Sequence, residues 1–548
     1  MIFNSLSFAI FLPIVLLFYY LCGRRYQNWV LLIAGYTFYG VWDIRFLYLV
    51  SLSTVLDFCT GLMIANGRMT LAQRLAPTCH LLGFALFFLV PDWHAVVFQG
   101  AYLNNINIDW QQLLTPTSLG LNVLGLSGLG VAVANIAYPY VLKHMEEKTK
   151  RIFFLRCSLM GQLGMLGVFK YYNFFVAEAE GCLKSLGVDA PSMHLDIILP
   201  IGISFYTFQT LSYVCDVYWG KMQPVSRLRD FALFVSYFPP LVAGPIERAS
   251  HLIPRILGER RINFENICQG AYLILLGLVK KMAIADGLAG SVFSVYNASG
   301  DVGWLDIVTA TVAFAIQIYC DFSGYSDIAC GVSLWFGIEL LKNFDQPYFS
   351  LNPSEFWRRW HISLSSWLRD YLYIPLGGNR GSEIKVYRNL MLTMVLGGLW
   401  HGAAWNFLLW GGYQGAMLII HRLFVGRKPA EFCGTLLMRL PRMMFFFVFI
   451  CYGWLLFRAT SFDQISSFTQ ILLSDFSNMS LHMKIPPFSS LLGIFILIFV
   501  EIFQFKRQNI HFYTYYPAVI HGGVYALLIF AFIMGLSNDS QQFIYFQF

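Results

Sequence analysis

The sequence predicts an all-helical protein that crosses a membrane many times. Of the 548 residues, 57% are hydrophobic and only 12% are charged, whereas soluble domains carry about 25% charged residues. Mean hydropathy is +0.59, and apolar stretches of roughly 18 or more residues, each long enough to cross a bilayer as a helix, recur along the chain. The net charge of +7 comes from basic residues at segment ends, the pattern of membrane-protein loops, so no nucleic-acid partner is expected.

The first apolar segment, "MIFNSLSFAIFLPIVLLFYYLCGRRYQNW", is expected to remain as a helix with its N-terminus outside. No basic residue precedes the apolar run and Arg24 and Arg25 follow it, which reverses the charge order of a cleavable signal peptide. Further spans are expected at 28–48, 50–65, 79–99, 117–142, 153–177, 197–219, 229–244, 267–290, 304–337, 386–409, 411–425, 443–458, 488–503 and 518–536. Two of them, 229–244 and 411–425, are short enough to be re-entrant or interfacial.

The connections between these segments predict which side each one faces. Connection 459–487 carries few charges and is expected outside. The basic connections, which we expect on the cytoplasmic side, are 227–230, 247–261, 355–371, 378–388 and 426–442. Because no internal repeat, low-complexity linker or soluble domain is evident, residues 1–548 are predicted to form a single membrane domain.

Several common catalytic signatures are missing from the chain. It contains no G-x-S-x-G, G-x-x-x-x-G-K-[ST], G-x-G-x-x-G or H-E-x-x-H motif, which removes most support for hydrolase, ATPase and metalloprotease functions. The eleven cysteines show no paired spacing typical of zinc or disulfides, so no metal site is expected. The remaining candidates are histidines and polar groups at membrane depth.

His401 lies in "LWHGAAWNF", within a long apolar run. Ionisable residues inside membrane spans usually face an interior cavity and mark function. If 386–409 is one helix, the neighbours on the histidine's face are Gly397, Gly398, Ala404 and Trp405. The small residues among them leave room for a packed helix or for a substrate. The alternative is a structural histidine that forms a hydrogen bond across a helix interface.

His361 lies in "EFWRRWHISLSSW", which is amphipathic, aromatic and basic. As a continuous helix, this segment would place Trp357, Arg358 and Ser365 on the face of His361. Such a helix is typical of a membrane interface. It could hold an anionic donor or simply anchor to lipid headgroups.

Two further stretches combine polar or helix-breaking residues with apolar ones. "CDFSGYSDIACG" places Asp321 and Asp327 on either side of Gly324. Six residues correspond to about 600° of helix rotation, so the carboxylates do not share a face, and a broken helix is favoured over a catalytic pair. "PPLVAGPIER" (239–248) contains three prolines and cannot be a plain helix, which predicts a re-entrant or boundary segment.

Several collinear motifs resemble the membrane-bound O-acyltransferase family, in particular its bacterial alginate O-acetylation branch. They are "PIGISFYTFQTLSYVCDVYWG", "SYFPPLVAGPIER", "GLVKKMAIAD", "DFSGYSD", "NFDQPYFSLNPSEFWRRWHISLSSWLRDYLYIPLGGNRG" and "NLMLTMVLGGLWHGAAWNFLLWGGYQG". The resemblance is dense from Phe169 to Gly415. It divides the chain into N-terminal helices (1–75), an extended region atypical of the compact members (76–150), the family core (151–425) and C-terminal helices (426–548).

The resemblance implies a bundle of transmembrane and re-entrant helices around a central tunnel, in the bacterial cytoplasmic membrane. It implies that His401 is catalytic, as general base, and that His361 is the second characteristic polar position. Arg358, Arg359 and Arg369 could attract the phosphates of a coenzyme A donor, although they also fit the positive-inside bias. No permanently bound cofactor is expected. The expected donor is acetyl-CoA or another cytoplasmic acyl thioester, and an extracytoplasmic hydrolase-like acetyltransferase is expected to complete transfer to a polysaccharide.

Two alternatives remain open from the sequence. A related enzyme of the same family could acylate a lipid or a protein instead of a polysaccharide. A protein of a different class could transport acyl groups or glycans without chemistry. Transporters often have repeated halves with broken helices in corresponding positions, and no such duplication is evident here.

Overall fold

The computed structural model describes residues 1–99, 105–188, 191–298, 300–426, 436–476, 479, 481–507, 509 and 517–544. The helices are α1 Leu6–Leu21, α2 Arg24–Gly40, α3 Leu47–Asn66, α4 Leu71–Phe88, α5 Trp110–Leu113, α6 Ser118–His144, α7 Glu147–Leu166, α8 Tyr172–Ser185, α9 Ile203–Tyr218, α10 Leu228–Ser236, α11 Phe238–Leu241, α12 Ala249–Leu257, α13 Phe264–Leu278, α14 Asp286–Tyr296, α15 Trp304–Trp335, α16 Pro353–Arg359, α17 Ile362–Leu368, α18 Glu383–His401, α19 Trp405–Val425, α20 Leu436–Arg458, α21 Phe462–Ser474, α22 Phe488–Arg507 and α23 Ala518–Gly535. Short 3₁₀ segments cover Ile44–Phe46, Trp93–Ala95 and Pro347–Phe349, and π-helical segments cover Gly167–Tyr171, Val279–Ala285 and Arg369–Tyr373.

The all-helical membrane architecture predicted from the sequence is confirmed. In the described residues, eight helices are long and apolar enough to cross a membrane: Ile44–Asn66, Trp110–His144, Glu147–Ser185, Phe264–Tyr296, Trp304–Trp335, Leu437–Arg458, Phe488–Arg507 and Ala518–Gly535. The expected short span 229–244 consists of the buried helices α10 and α11, nine and four residues long. The expected short span 411–425 is wrong in its start and its length. Helix α19, which contains it, begins at Trp405 and is 21 residues long.

The chain forms two compact units. Unit 1 comprises residues 1–172, 196–242 and 247–260, and unit 2 comprises residues 173–195, 243–246 and 261–548. In unit 1, α3 is the central helix and packs against α4, α7 and α9. Asp57 of α3 accepts hydrogen bonds from Ser158 Oγ (2.6 Å) and Gln162 Nε2 (2.8 Å) of α7. These bonds join two apolar helices through buried polar groups.

The predicted span 79–99 is wrong in its second half. Helix α4 ends at Phe88, and residues Val96–Gln99 form strand β1, which pairs antiparallel with β2 (Asn105–Ile108). The cause is Pro91, which disfavours helical geometry at the residue before it and so ends the helix there. The hairpin belongs to the region that the sequence marks as an extension.

In unit 2, α15 is unbroken from Trp304 to Trp335, so the broken helix predicted at Gly324 is wrong. Gly324 is instead a contact point with α13, where an added Cβ would lie 2.8 Å from the Gly277 carbonyl oxygen. The two carboxylates do not form a pair, as expected. Asp327 pairs with Lys280 and Asp321 pairs with Lys281, each at 2.8 Å.

The proline-rich segment 239–248 is not a plain helix, which confirms the sequence prediction. Helix α11 ends at Leu241, and the following residues to Arg248 are buried without helical structure, apart from the partly exposed Arg248. Within unit 2, the Ile246 N–H donates a hydrogen bond to Ser363 Oγ (2.9 Å). A non-helical backbone inside a membrane protein requires such partners within the protein.

Helices α18 and α19 form a closely packed hairpin in unit 2. An added Cβ on Gly411 would lie 2.4 Å from the Met394 carbonyl oxygen, whereas an added Cβ on Gly412 would meet nothing within 4 Å. We therefore expect Gly411→Ala to separate the two helices and to destabilise the protein by about 1–3 kcal/mol. Thermal unfolding of the detergent-solubilised protein measures this effect. Gly412→Ala is the matched control, and equal melting temperatures for the two variants would contradict the expectation.

Candidate active site

His361 occupies a break between two short helices. Helix α16 ends at Arg359, α17 begins at Ile362, and His361 has φ +43°, a left-handed conformation that is uncommon for residues other than glycine. The prediction of one amphipathic helix is therefore wrong. His361 is fully buried, so its own side chain does not anchor the protein to headgroups.

Asn343 determines which nitrogen of His361 carries the proton. The Ser363 backbone N–H (3.3 Å) and hydroxyl (2.9 Å) both donate to one side-chain atom of Asn343, which identifies that atom as Oδ1. His361 Nδ1 lies 3.1 Å from the same oxygen and must therefore donate to it. The neutral ring then carries its lone pair on Nε2. Burial lowers the pKa of His361 to about 3, which keeps this neutral form at physiological pH.

His401 is the last residue of α18, not a residue in the middle of a helix. Gly402 has an extended backbone (φ −162°), and α19 begins only at Trp405. The predicted helix 386–409 is thus broken directly after the histidine, and Ala404 and Trp405 are not its helical neighbours. An added Cβ on Gly402 would lie 2.1 Å from the Phe407 ring, so the close turn depends on glycine.

The glycines that precede His401 serve helix packing. An added Cβ on Gly398 would lie 2.2 Å from the Phe407 carbonyl oxygen, and one on Gly397 would lie 3.1 Å from Leu368 Cδ1. The sequence predicted that these small residues leave room either for a packed helix or for a substrate. At Gly398 the contacts show the first of these, because the missing side chain allows α19 to approach closely.

Aromatic rings surround the His401 side chain, which is 4% exposed. The ring centroids of Trp400, Trp410 and Phe457 lie 5.0, 5.2 and 5.5 Å from that of His401, all edge to face. Trp400 also contacts His361, with centroids 6.1 Å apart. The structure therefore brings the two sequence-predicted histidines into one aromatic cluster, in which both contact Trp400.

A cavity of about 450 Å³ lies beside this cluster, within unit 2. Arg358 and Arg369 both line it, and its Trp357 wall contacts Trp410, which in turn contacts His401. The indole nitrogens of Trp357 and Trp410 are buried, with no hydrogen-bond acceptor among the described residues. Trp357 and Trp410, whose indole N–H groups can donate hydrogen bonds, thus link the cavity to His401 through their contacts.

The three arginines predicted to attract donor phosphates have different surroundings. Arg358 is exposed and donates to the Ser354 carbonyl (3.2 Å). Arg369 pairs with its neighbour Asp370 (2.6 Å). Arg359 does not line the cavity, and it forms ion pairs with Glu355 (3.1 Å) and Asp345 (3.4 Å). The structure thus places two of the three at the cavity.

Sequence reasoning assigned no role to Asn343, Trp357, Trp400 or Trp410. Asn343 lies in the quoted stretch "NFDQPYF" without a role assigned to it, and its contact with His361 spans 18 positions. The tryptophans could have been found from their positions near the candidate histidines. Trp400 is adjacent to His401, Trp410 follows it by nine residues, and Trp357 precedes His361 by four residues. Indole groups are large, and they also need a partner for their N–H when buried.

The chain belongs to the membrane-bound O-acyltransferase family and is an integral membrane acyltransferase. The family model, described as "MBOAT, membrane-bound O-acyltransferase family", matches residues 225–462.

Similar proteins include alginate and peptidoglycan O-acetylating enzymes. A probable alginate O-acetylase of Azotobacter vinelandii is 38% identical over 470 residues, which cover 84% of this chain and 76% of that protein. A probable alginate O-acetylase of Pseudomonas aeruginosa is 36% identical over 521 residues, 93% of this chain and 83% of that protein. A peptidoglycan O-acetyltransferase of Helicobacter pylori is 36% identical over 366 residues, 61% of this chain and 68% of that protein. The resemblance to the alginate O-acetylation branch is therefore confirmed.

Proposed function

We propose that this protein moves an acetyl group from a cytoplasmic thioester to a hydroxyl of an extracytoplasmic polysaccharide, with His401 as general base. The observation that carries the proposal is the buried cluster in which His401 and His361 both contact Trp400, next to a cavity lined by Arg358 and Arg369. The names of the relatives support the acetyl group and a polymer acceptor. They name two different polymers, so the proposal is limited to the class.

In the proposed reaction, His401 accepts the proton of the attacking hydroxyl while the hydroxyl oxygen bonds to the thioester carbonyl carbon. The carbon–sulfur bond then breaks, and the proton passes from the histidine to the leaving thiolate. The carbonyl oxygen gains negative charge during the attack. The indole N–H groups of Trp357 and Trp410 are candidate donors to that oxygen, because both are buried and have no acceptor in the described part of the chain.

His361 has a positioning role in this proposal. Its Nδ1–H is held by Asn343 (3.1 Å), and its ring contacts Trp400 and Phe322, with centroids 6.1 and 4.6 Å away. The ring fixed in this way presents Nε2 as a hydrogen-bond acceptor. We propose that His361 orients the donor beside Trp400, while Asn343 holds the His361 ring in place.

The donor is proposed to be acetyl-CoA, held through its phosphates by Arg358 and Arg369. Both line the cavity, and guanidinium groups recognise phosphate by paired hydrogen bonds. This assignment places Arg358 and Arg369 on the cytoplasmic side, in agreement with the basic connection 355–371 in which both lie. In the same scheme the N-terminus lies outside and the protein resides in the bacterial cytoplasmic membrane. The attacking hydroxyl belongs to the polysaccharide itself or to a hydrolase-like acetyltransferase outside, which passes the acetyl group on to the polysaccharide.

We expect Arg358→Gln and Arg369→Gln each to raise KM for acetyl-CoA about tenfold with little change in kcat, because a lost phosphate contact weakens ground-state and transition-state binding alike. Initial rates at varied acetyl-CoA measure both constants. Arg359→Gln is the contrasting variant. It removes the contacts with Glu355 and Asp345, so it is expected to lower the melting temperature. A KM increase confined to Arg359→Gln would contradict the donor assignment.

The proposed function is tested by following radiolabelled acetyl-CoA with the purified protein in nanodiscs. Label and free coenzyme A are measured with alginate, peptidoglycan fragments or no acceptor present, with and without a hydrolase-like acetyltransferase. Label on a polysaccharide together with coenzyme A release is the expected result. If the label enters only lipid or protein hydroxyls, the acceptor is a lipid or a protein and not a polysaccharide. In proteoliposomes, uptake of intact acetylated material without coenzyme A release would favour a transporter.

A further inference from the structure

A cavity of about 720 Å³ lies within unit 1, among α3, α4, α6 and α7, and takes no part in the proposed chemistry. Three of these helices belong to candidate membrane spans. Helix α6 packs against α4, and of its 27 residues only Gly120 and Ser127 are buried. The cavity is therefore at membrane depth, beside a helix that is otherwise exposed to its surroundings. The molecules available at such a place are lipids.

The cavity is long and mostly apolar. Along α3 its wall runs from Tyr48 to Met63 through one face of the helix. These 15 steps correspond to about 22 Å at a rise of about 1.5 Å per residue, which exceeds the roughly 15 Å of half a hydrocarbon core. The dimensions suit an extended acyl chain better than a compact polar ligand.

One end of the cavity carries a cation. The Arg74 guanidinium lies over the Tyr138 ring, 4.5 Å from its centroid. The Tyr138 hydroxyl is fixed by the Met69 backbone, accepting from its N–H (2.7 Å) and donating to its carbonyl (2.9 Å). Arg74 Nε is buried and has no hydrogen-bond acceptor among the residues that the structure describes. A buried guanidinium N–H without an acceptor is costly, and a phosphate oxygen would supply one.

The chain around this end is basic. The α3–α4 connection (67–70) and residues 143–151 lie at this end, since Tyr138 of α6 contacts Arg74 and an added Cβ on Gly67 would lie 2.7 Å from Glu147 Oε2. Their basic residues are Arg68, Lys143, Lys148, Lys150 and Arg151, against the acidic residues Glu146 and Glu147. Lys150 pairs with Glu147 at 3.3 Å. The excess of positive charge favours an anionic headgroup at the same end as Arg74.

We propose that this cavity binds one membrane phospholipid, with an acyl chain along α3 and its phosphate on Arg74. The lipid fills the space beside α6 and satisfies the buried Arg74 N–H. The proposal stands independently of the acyl-transfer reaction, because it uses none of the residues of the histidine cluster.

The glycines of α6 allow a matched test. Gly130 lines the cavity, and an added Cβ there would meet nothing within 4 Å, so Gly130→Leu projects into the cavity. Gly125 lies on the same helix, does not line the cavity, and also has nothing within 4 Å of an added Cβ. Gly125→Leu is therefore the control for helix propensity and surface hydrophobicity. Ala134→Leu, which also lines the cavity, is a second filling variant should Gly130→Leu fail to fold.

The experiment is native mass spectrometry of the full-length protein in detergent, titrated with phosphatidylglycerol and with a diacylglycerol that lacks the phosphate. We expect one phosphatidylglycerol per wild-type chain, at least tenfold weaker binding in a folded filling variant, and unchanged binding in Gly125→Leu. Arg74→Gln should weaken phosphatidylglycerol about tenfold, the effect of about 1.4 kcal/mol, and leave diacylglycerol unchanged. Equal phosphatidylglycerol binding by wild type and a folded filling variant would overturn the site. An unchanged affinity in Arg74→Gln would overturn the assignment of the phosphate.

Discussion

His401→Ala is expected to lower acyl transfer from acetyl-CoA by a factor of about 10²–10⁴, the usual contribution of a general base. The physical reason is that the rings packed against His401 include those of Trp400, Trp410 and Phe457. Tryptophan and phenylalanine cannot accept the proton of an attacking hydroxyl. The measurement is coenzyme A release together with label on the acceptor.

Two further variants separate chemistry from packing in this prediction. His401→Gln keeps a polar side chain of similar size without a base of suitable pKa, so it should lose as much activity as His401→Ala. His421→Gln, on α19 and partly exposed, should keep wild-type turnover. Melting temperatures show whether each variant is folded. Wild-type turnover by folded His401→Ala would remove His401 from the chemistry.

The sequence contained enough information to predict the helical architecture and to single out His401 as a candidate site residue. Burying an imidazole within an apolar run costs free energy whatever structure the run adopts, so the position of the histidine alone marks it as unusual. The length and hydropathy of a span are likewise properties of a single segment. This is why α6, α15, α22 and α23 lie close to their predicted bounds.

The breaks in the helices could not be predicted from the same local information, because they depend on packing between segments. Gly324 suggests a break, yet α15 is continuous there, since the glycine is needed for contact with Gly277. The "HGAAW" stretch suggests a continuous helix, yet the chain turns at Gly402 against the Phe407 ring. The sequence alone does not distinguish a glycine that permits close helix packing from a glycine that permits a turn.

The second large effect is expected at Asn343, which sequence reasoning did not select. Asn343→Leu leaves the His361 Nδ1–H and the Ser363 N–H without the acceptor that they share. Each unsatisfied buried donor costs about 1–3 kcal/mol, and a displaced ring lowers activity by about 10²-fold if His361 orients the donor. Melting temperature and kcat are both expected to fall. Activity equal to wild type in folded Asn343→Leu would remove His361 from the proposed mechanism.

Asn343→Asp distinguishes a positioning role from a purely structural one through the pH dependence of activity. In the wild type, burial lowers the pKa of His361 to about 3, so Nε2 keeps its lone pair and His361 adds no loss of activity between pH 5 and 8. A carboxylate beside Nδ1–H favours the imidazolium and raises that pKa. Protonation then removes the Nε2 lone pair, so kcat of the variant should fall on the acid side of neutrality relative to wild type. A structural role predicts the same pH profile for both proteins, with only the amplitude reduced.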